Sequence, residues 1–124
     1  MLTSTIDAIV HAGFIQVIGV RGGRQSPPFA YTIGRYRNHG EPELLITGVG
    51  SPRSGLALHE LAEAMEMDPH EDSWTLQESG LKVRTLNATR KRVDKFMLLA
   101  RAHYGGSDFP ALEVVVTADL ESAA

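Results

Sequence analysis

The chain has 124 residues, of which 43% are hydrophobic and 22% charged, and its formal net charge is -3. That length suits one domain with its own core, and the composition is that of a folded protein rather than a disordered one. There is no cysteine, which excludes disulfides, thiolate chemistry and cysteine-based zinc sites, and the acidic balance gives no reason to expect nucleic acid.

The first element expected is a helix opened by Ser4 and Asp7 in a capping-box arrangement, with Ile6, Ile9 and Val10 on one face and Gly13 as its stop. Phe14 to Val20 is rich in β-branched residues and reads as a strand. RGGRQSPP follows as a loop. Arg21 and Arg24 lie there beside Gly22 and Gly23, a combination suited to an anion, although the spacing matches no known phosphate loop.

A second strand is expected over Phe29 to Tyr36. Phe29, Tyr31, Ile33 and Arg35 alternate to one face, and Ala30, Thr32, Gly34 and Tyr36 to the other. The small side chains of that second face leave room for a helix, a backbone or a flat ligand. Arg37 to Glu41 reads as a polar loop, and Pro42 to Val49 as the returning strand of an antiparallel hairpin.

Ser54 then caps a helix with Leu58, Leu61, Ala62 and Met65 at helical spacing. Within it His59 and Glu60 begin HELAE, which has Glu63 where the HExxH zinc motif needs histidine. Met67 to Ser73 is a loop whose acids fit no calcium-binding spacing. Trp74 to Gln77 and Leu81 to Leu86 are short strands about a turn at Ser79 and Gly80. Thr89 caps a last helix carrying Val93, Phe96, Met97, Ala100 and Tyr104, and Gly105 and Gly106 end it. Ala111 to Thr117 is a final central strand, with a frayed tail over 118–124.

Charge is segregated. Glu60 to Glu78 holds seven acids and no Lys or Arg, whereas Lys82 to Arg101 holds seven basic groups and one acid. The two blocks either offset each other as solvated faces or border an anion site. Arg90, Lys91 and Arg92 open the last helix against its dipole, so they need a partner, either a bound anion or the acidic segment.

The element order argues for a single α+β domain, with a mainly antiparallel sheet of five or six strands and two or three helices packed on one face. No repeat, linker or low-complexity stretch interrupts it. No apolar run approaches the roughly 20 residues that span a bilayer, and the N-terminus lacks the pattern of a signal peptide. The expectation is a cytoplasmic domain without membrane contact.

AGF near the N-terminus, PPFAYTIG, HGEPELLITG, the Leu-rich helix after Ser54 and YGG before the last strand together resemble a bacterial family defined as a domain of unknown function. That resemblance covers most of the chain and implies a shared fold. In outline, the FAYTIG strand leading into PELL and a helix is also similar to the start of flavin-binding split barrels. This implies flavin as a cofactor, although the residues themselves require none.

Catalytic patterns are sparse: no GxSxG elbow is present, and the serines have no histidine partner by spacing. Glu41 and Glu43 fall at a strand start, where carboxylates are usually solvated. His39, His59, His70 and His103 form no local motif. Nine arginines against three lysines favour planar contacts to an anion.

The reading is a small-molecule binding domain for an anionic ligand such as a nucleotide or signalling metabolite, acting alone or as a homo-oligomer. Its ligand-binding residues would be Arg21, Arg24, Tyr31, Thr32, Arg35 and Arg53. A flavin-dependent oxidoreductase of split-barrel type and a protein-interaction module remain as alternatives.

Overall fold

The computed structural model describes residues 2–121. Its elements run α1 (Leu2–His11), β1 (Gln16–Val20), β2 (Phe29–Ile33), α2 (Arg35–His39), β3 (Glu43–Thr47), α3 (Arg53–Met67), β4 (Ser73–Leu76), β5 (Leu81–Asn87), α4 (Arg90–Phe96), α5 (Leu98–Tyr104) and β6 (Ala111–Asp119). The domain is α+β, as the element order indicated.

Six strands form one sheet in the order β1-β2-β3-β6-β5-β4. All neighbours are antiparallel except β3 and β6, which pair Glu43 with Ala111 through Ile46 with Val114. A parallel pair needs a long crossover, and here it carries α3, the β4–β5 hairpin, α4 and α5. The last strand therefore inserts centrally, with Leu112, Val114 and Val116 packed in or against the core beneath α3.

Alternation along the strands divides the core in two. Tyr31 and Ile33 of β2 and Leu45 of β3 join Ile6 and Val10 of α1 and Val93, Phe96, Met97 and Ala100 near the last helices. Ala30, Leu44, Ile46, Leu81, Val83 and Val114 meet Ala57, Leu58 and Leu61 of α3 on the opposite side, together with Trp74 and Leu76. Helices thus cover both faces, not one. α3 packs on β2 and covers the small surface at Ala30, so a helix and not a flat ligand lies there.

Several boundaries differ from the sequence reading. α1 starts at Leu2 and places Ser4 inside the helix, while β1 starts at Gln16 and leaves Phe14 exposed. β2 stops at Ile33, so Arg35 and Tyr36 belong to α2, in the stretch expected to be a strand end and a loop. α3 opens on Arg53 with Pro52 at the cap, and Ser54 is buried inside it.

The expected last helix is two. Thr89 caps α4, its hydroxyl accepting from the Arg92 amide at 3.3 Å, but the helix breaks at Met97 before α5 resumes. Its basic opening is matched by Asp108, 3.4 Å from Arg90, and by Glu113 of β6, 2.5 Å from Arg92. These acids come from the end of the chain rather than from the acidic segment. β6 extends to Asp119, so Ala118 and Asp119 are strand residues; residues 122–124 of the expected frayed tail lie outside the described residues.

Candidate functional site

The local structure around the site begins with a glycine. Gly34 has φ 120° and ψ -19°, a backbone geometry that side-chain-bearing residues rarely adopt, and it turns β2 sharply into α2. The turn aims several backbone N-H groups inward, where they need an acceptor.

Glu43 supplies it. Its carboxylate is fully buried and accepts from the amides of Gly34 at 2.9 Å, Arg35 at 3.2 Å and Tyr36 at 3.2 Å. It also accepts from the Thr32 hydroxyl at 2.7 Å and from the hydroxyl of Tyr104. Thr32 Oγ1 in turn accepts from the Leu44 amide at 2.9 Å. Five donors around one carboxylate replace the water that burial removed, which is why a charge survives in this interior. The anion at the start of α2 is thus the protein's own.

Tyr104 and Tyr31 both titrate above the usual tyrosine range. Burial is the main cause for Tyr104, reinforced by the Glu43 carboxylate; burial is the main cause for Tyr31, opposed by the Leu99 amide that donates to its hydroxyl. A phenol held more tightly to its proton when folded contributes stability that is fully present below the unfolded value of about 10 and lost as pH rises through the higher folded one. Urea titrations from pH 8 to 11 should therefore show unfolding free energy falling above about pH 10. Tyr104→Phe should flatten that fall, and an unchanged slope would contradict the assignment.

Arg35 follows directly in α2. Its side chain is 7% exposed; Nε donates to the Pro42 carbonyl at 2.9 Å and Nη2 lies 3.7 Å from Glu41. Neither terminal nitrogen donates a hydrogen bond to any of the described residues. Burial lowers the guanidinium's affinity for its proton, and Glu41, Glu43 and Glu66 counter that effect. The guanidinium is one wall of a cleft of about 310 Å³ between α2 and the C-terminal half of α3, with Ile15, His39, Glu41, His59, Ala62, Glu63, Met65 and Glu66 as the rest of the lining.

His59, Glu63 and Glu66 share one face of α3 because residues three and four apart are helical neighbours. In the sequence, His59 stands out as half of an incomplete zinc motif and as one of four scattered histidines, and Glu63 and Glu66 only as members of the acidic block. Nothing in a single sequence could signal that α2 would bring Arg35 and His39 opposite them. Among the described residues, no three metal-type side chains converge closely enough to hold an ion.

Of the other expected ligand-binding residues, none lines this cleft. Arg21 and Arg24 sit in the exposed loop beyond Val20, and the β1–β2 register places Val20 at the far end of β1 from Gln16 and Ile33. Tyr31 is in the core and Thr32 is engaged by Glu43 and Leu44. Arg53 grips Asp119 with two bonds of 2.9 and 2.7 Å and donates to the carbonyls of Ser79 and Gly80. That bidentate bond to Asp119 raises its affinity for its proton further. Together with Glu60, which accepts from the amides of Glu78 and Ser79 at 2.9 and 2.7 Å, Arg53 fastens the β4–β5 turn to α3.

His103 has a different role from the two cleft histidines. Its side chain is 1% exposed; Nε2 accepts from Arg37 Nε at 2.8 Å, which leaves Nδ1 to donate to Asp7 at 2.5 Å. The bonds join α5 to α2 and α1. Asn38 adds another tie, donating to the Val10 and Phe14 carbonyls at 3.1 and 3.3 Å. The back of α2 is fastened by these contacts while Arg35 faces the cleft.

No curated protein and no solved structure matches the chain. Residues 9–121 match the family described as Domain of unknown function (DUF4262), and since that match spans nearly the whole described chain and includes both β2–β3 motifs and the cleft, the chain belongs to that family.

Proposed function

We propose that this is a small-molecule binding domain whose ligand enters the α2–α3 cleft and presents an anionic group to Arg35. The supporting observation is the guanidinium itself, nearly buried and anchored at Nε, with two terminal nitrogens that form no hydrogen bond among the described residues. Placing a cation in a protein interior is unfavourable unless it is paired, and Glu41, exposed and 3.7 Å away, gives Arg35 only a long ion pair. A ligand carboxylate or phosphate would complete the pairing with the two-pronged geometry that arginine favours.

The size and walls narrow the ligand class. About 310 Å³ lies at the small end of ligand pockets. Three glutamates around the opening oppose a polyphosphate, so the cleft favours a compact organic anion over a nucleoside triphosphate.

The flavin alternative has less support. Among the described residues the sheet is open, with β1 and β4 at its edges, and no Phe, Tyr or Trp lines the cleft to stack on an isoalloxazine ring. We place the domain in the cytoplasm, a location that the lack of cysteine favours.

The test is native mass spectrometry of the domain as purified, followed by thermal-shift measurements with carboxylates and phosphates of low mass. Retained mass or a rise in Tm is expected, and the first measurement also reports whether the chain forms a homo-oligomer. Arg35→Lys keeps the charge but not the fork and should weaken the shift at least about tenfold in apparent Kd. An undiminished shift in a folded Arg35→Lys protein would refute the role given to Arg35.

A further inference from the structure

The lining of the cleft carries both signs of charge. Arg35 is held in place by the Pro42 carbonyl, while Glu63 and Glu66 stand on α3 and Glu41 follows α2. Glu66 is close enough to act electrostatically on Arg35. A ligand with only negative charge would satisfy the guanidinium but meet three carboxylates. One with only positive charge would satisfy the carboxylates but meet a buried cation.

From this we infer that the ligand is a zwitterion of the amino-acid class, with its carboxylate on the Arg35 fork and its ammonium toward Glu63 and Glu66. The inference rests on the cleft being the binding site and adds the second charge. An ammonium donates up to three hydrogen bonds, which suits carboxylates presented from one helix face. A metal cation is disfavoured because the acids do not converge on one point. Ile15, Ala62 and Met65 supply an apolar strip on the same lining, and this gives a short aliphatic or thioether side chain its place.

Neither charge of the ligand suffices alone. Removing either ligand charge leaves a protein charge facing an uncompensated group. His39 and His59 complete the lining.

The experiment uses the intact domain near pH 7 and three probe series: the standard L-α-amino acids, their carboxylic acids lacking the amine, and their amines lacking the carboxylate. Calorimetry should show at least one amino acid binding, with both truncated counterparts at least about tenfold weaker. Glu66 is exposed, so Glu66→Gln should fold normally; it should weaken the amino acid about fivefold or more and leave the simple carboxylate unaffected or tighter.

If a carboxylate lacking the amine binds as tightly as the amino acid and ignores Glu66→Gln, the zwitterion inference falls while the anion site stands. Amines that bind as well as amino acids, with no loss in Arg35→Lys, would remove both. No binding by any of the three series would also overturn the inference, and the phosphate arm of the thermal-shift test would then decide the anion site separately.

Discussion

Replacing Glu43 with alanine should destabilise the domain by about 3–5 kcal/mol, the range for removing one partner of a buried charged network. The carboxylate serves Thr32, Tyr104 and three consecutive amides, and no water reaches it to take over. A domain of this size is typically stable by only about 5–15 kcal/mol, so the variant should approach the limit of folding at ordinary temperature. Glu43→Gln keeps the shape but turns one acceptor into an NH2 donor among donors, and should cost about 2–3 kcal/mol. Thr32→Val removes a single bond to the carboxylate and orphans the Leu44 amide; about 1–2 kcal/mol is expected.

Urea denaturation of the three variants would check this order. Losses below about 1 kcal/mol for both Glu43 variants would mean that the network does not hold the site. Ligand binding provides a second readout. Glu43 fixes the first turn of α2 and hence the position of Arg35, so a Glu43→Gln protein that remains folded should also lose affinity in the cleft. In that sense Glu43 is a positioning residue.

Much of the fold was legible because it depends on local pattern. The alternation of Tyr31 and Ile33 against Ala30 predicted two strand faces, and the spacing of Leu58 and Leu61 predicted the buried face of α3. The hairpin and the cap at Thr89 follow from residue chemistry within a few positions. The parallel β3–β6 pairing does not. It joins segments more than sixty residues apart, and no periodicity records which strand lies beside which.

The cleft was harder to read for the same reason. The sequence points to Arg35 as an anion-binding residue, but as a strand residue grouped with Arg21, Arg24 and Arg53. The tertiary fold moves it into α2 at one end of the sheet and leaves Arg21, Arg24 and Arg53 at the other, where Val20 pairs with Phe29, Phe29 with Thr47, and Arg53 binds Asp119. Glu43 resembled an ordinary solvated acid at a strand start because its five donors come from positions 32 to 104. Its chemistry is clear only once the chain has closed around it.

Gly34 joins the fold and the cleft most directly, and Gly34→Ala should cost more than about 3 kcal/mol. Holding alanine at such a φ costs about 1–3 kcal/mol in backbone strain alone. A Cβ at this position would also stand 2.9 Å from the Phe14 carbonyl oxygen and 3.2 Å from Ile15 Cα. Both obstacles are backbone, so no side-chain rotation relieves them. Gly40 offers an internal control at the other end of α2: its φ of 67° is in the left-handed helical region, and a Cβ there meets nothing within 4 Å. Gly40→Ala should lose only about 1 kcal/mol. A gap of at least about 2 kcal/mol between the two variants in parallel urea titrations is therefore expected, and equal midpoints would show that the turn yields readily. If Gly34→Ala survives by shifting the turn, the Gly34 amide moves off Glu43 and Arg35 moves with it. Binding in the cleft should then be lost at temperatures where the variant is still folded, whereas Gly40→Ala should retain it.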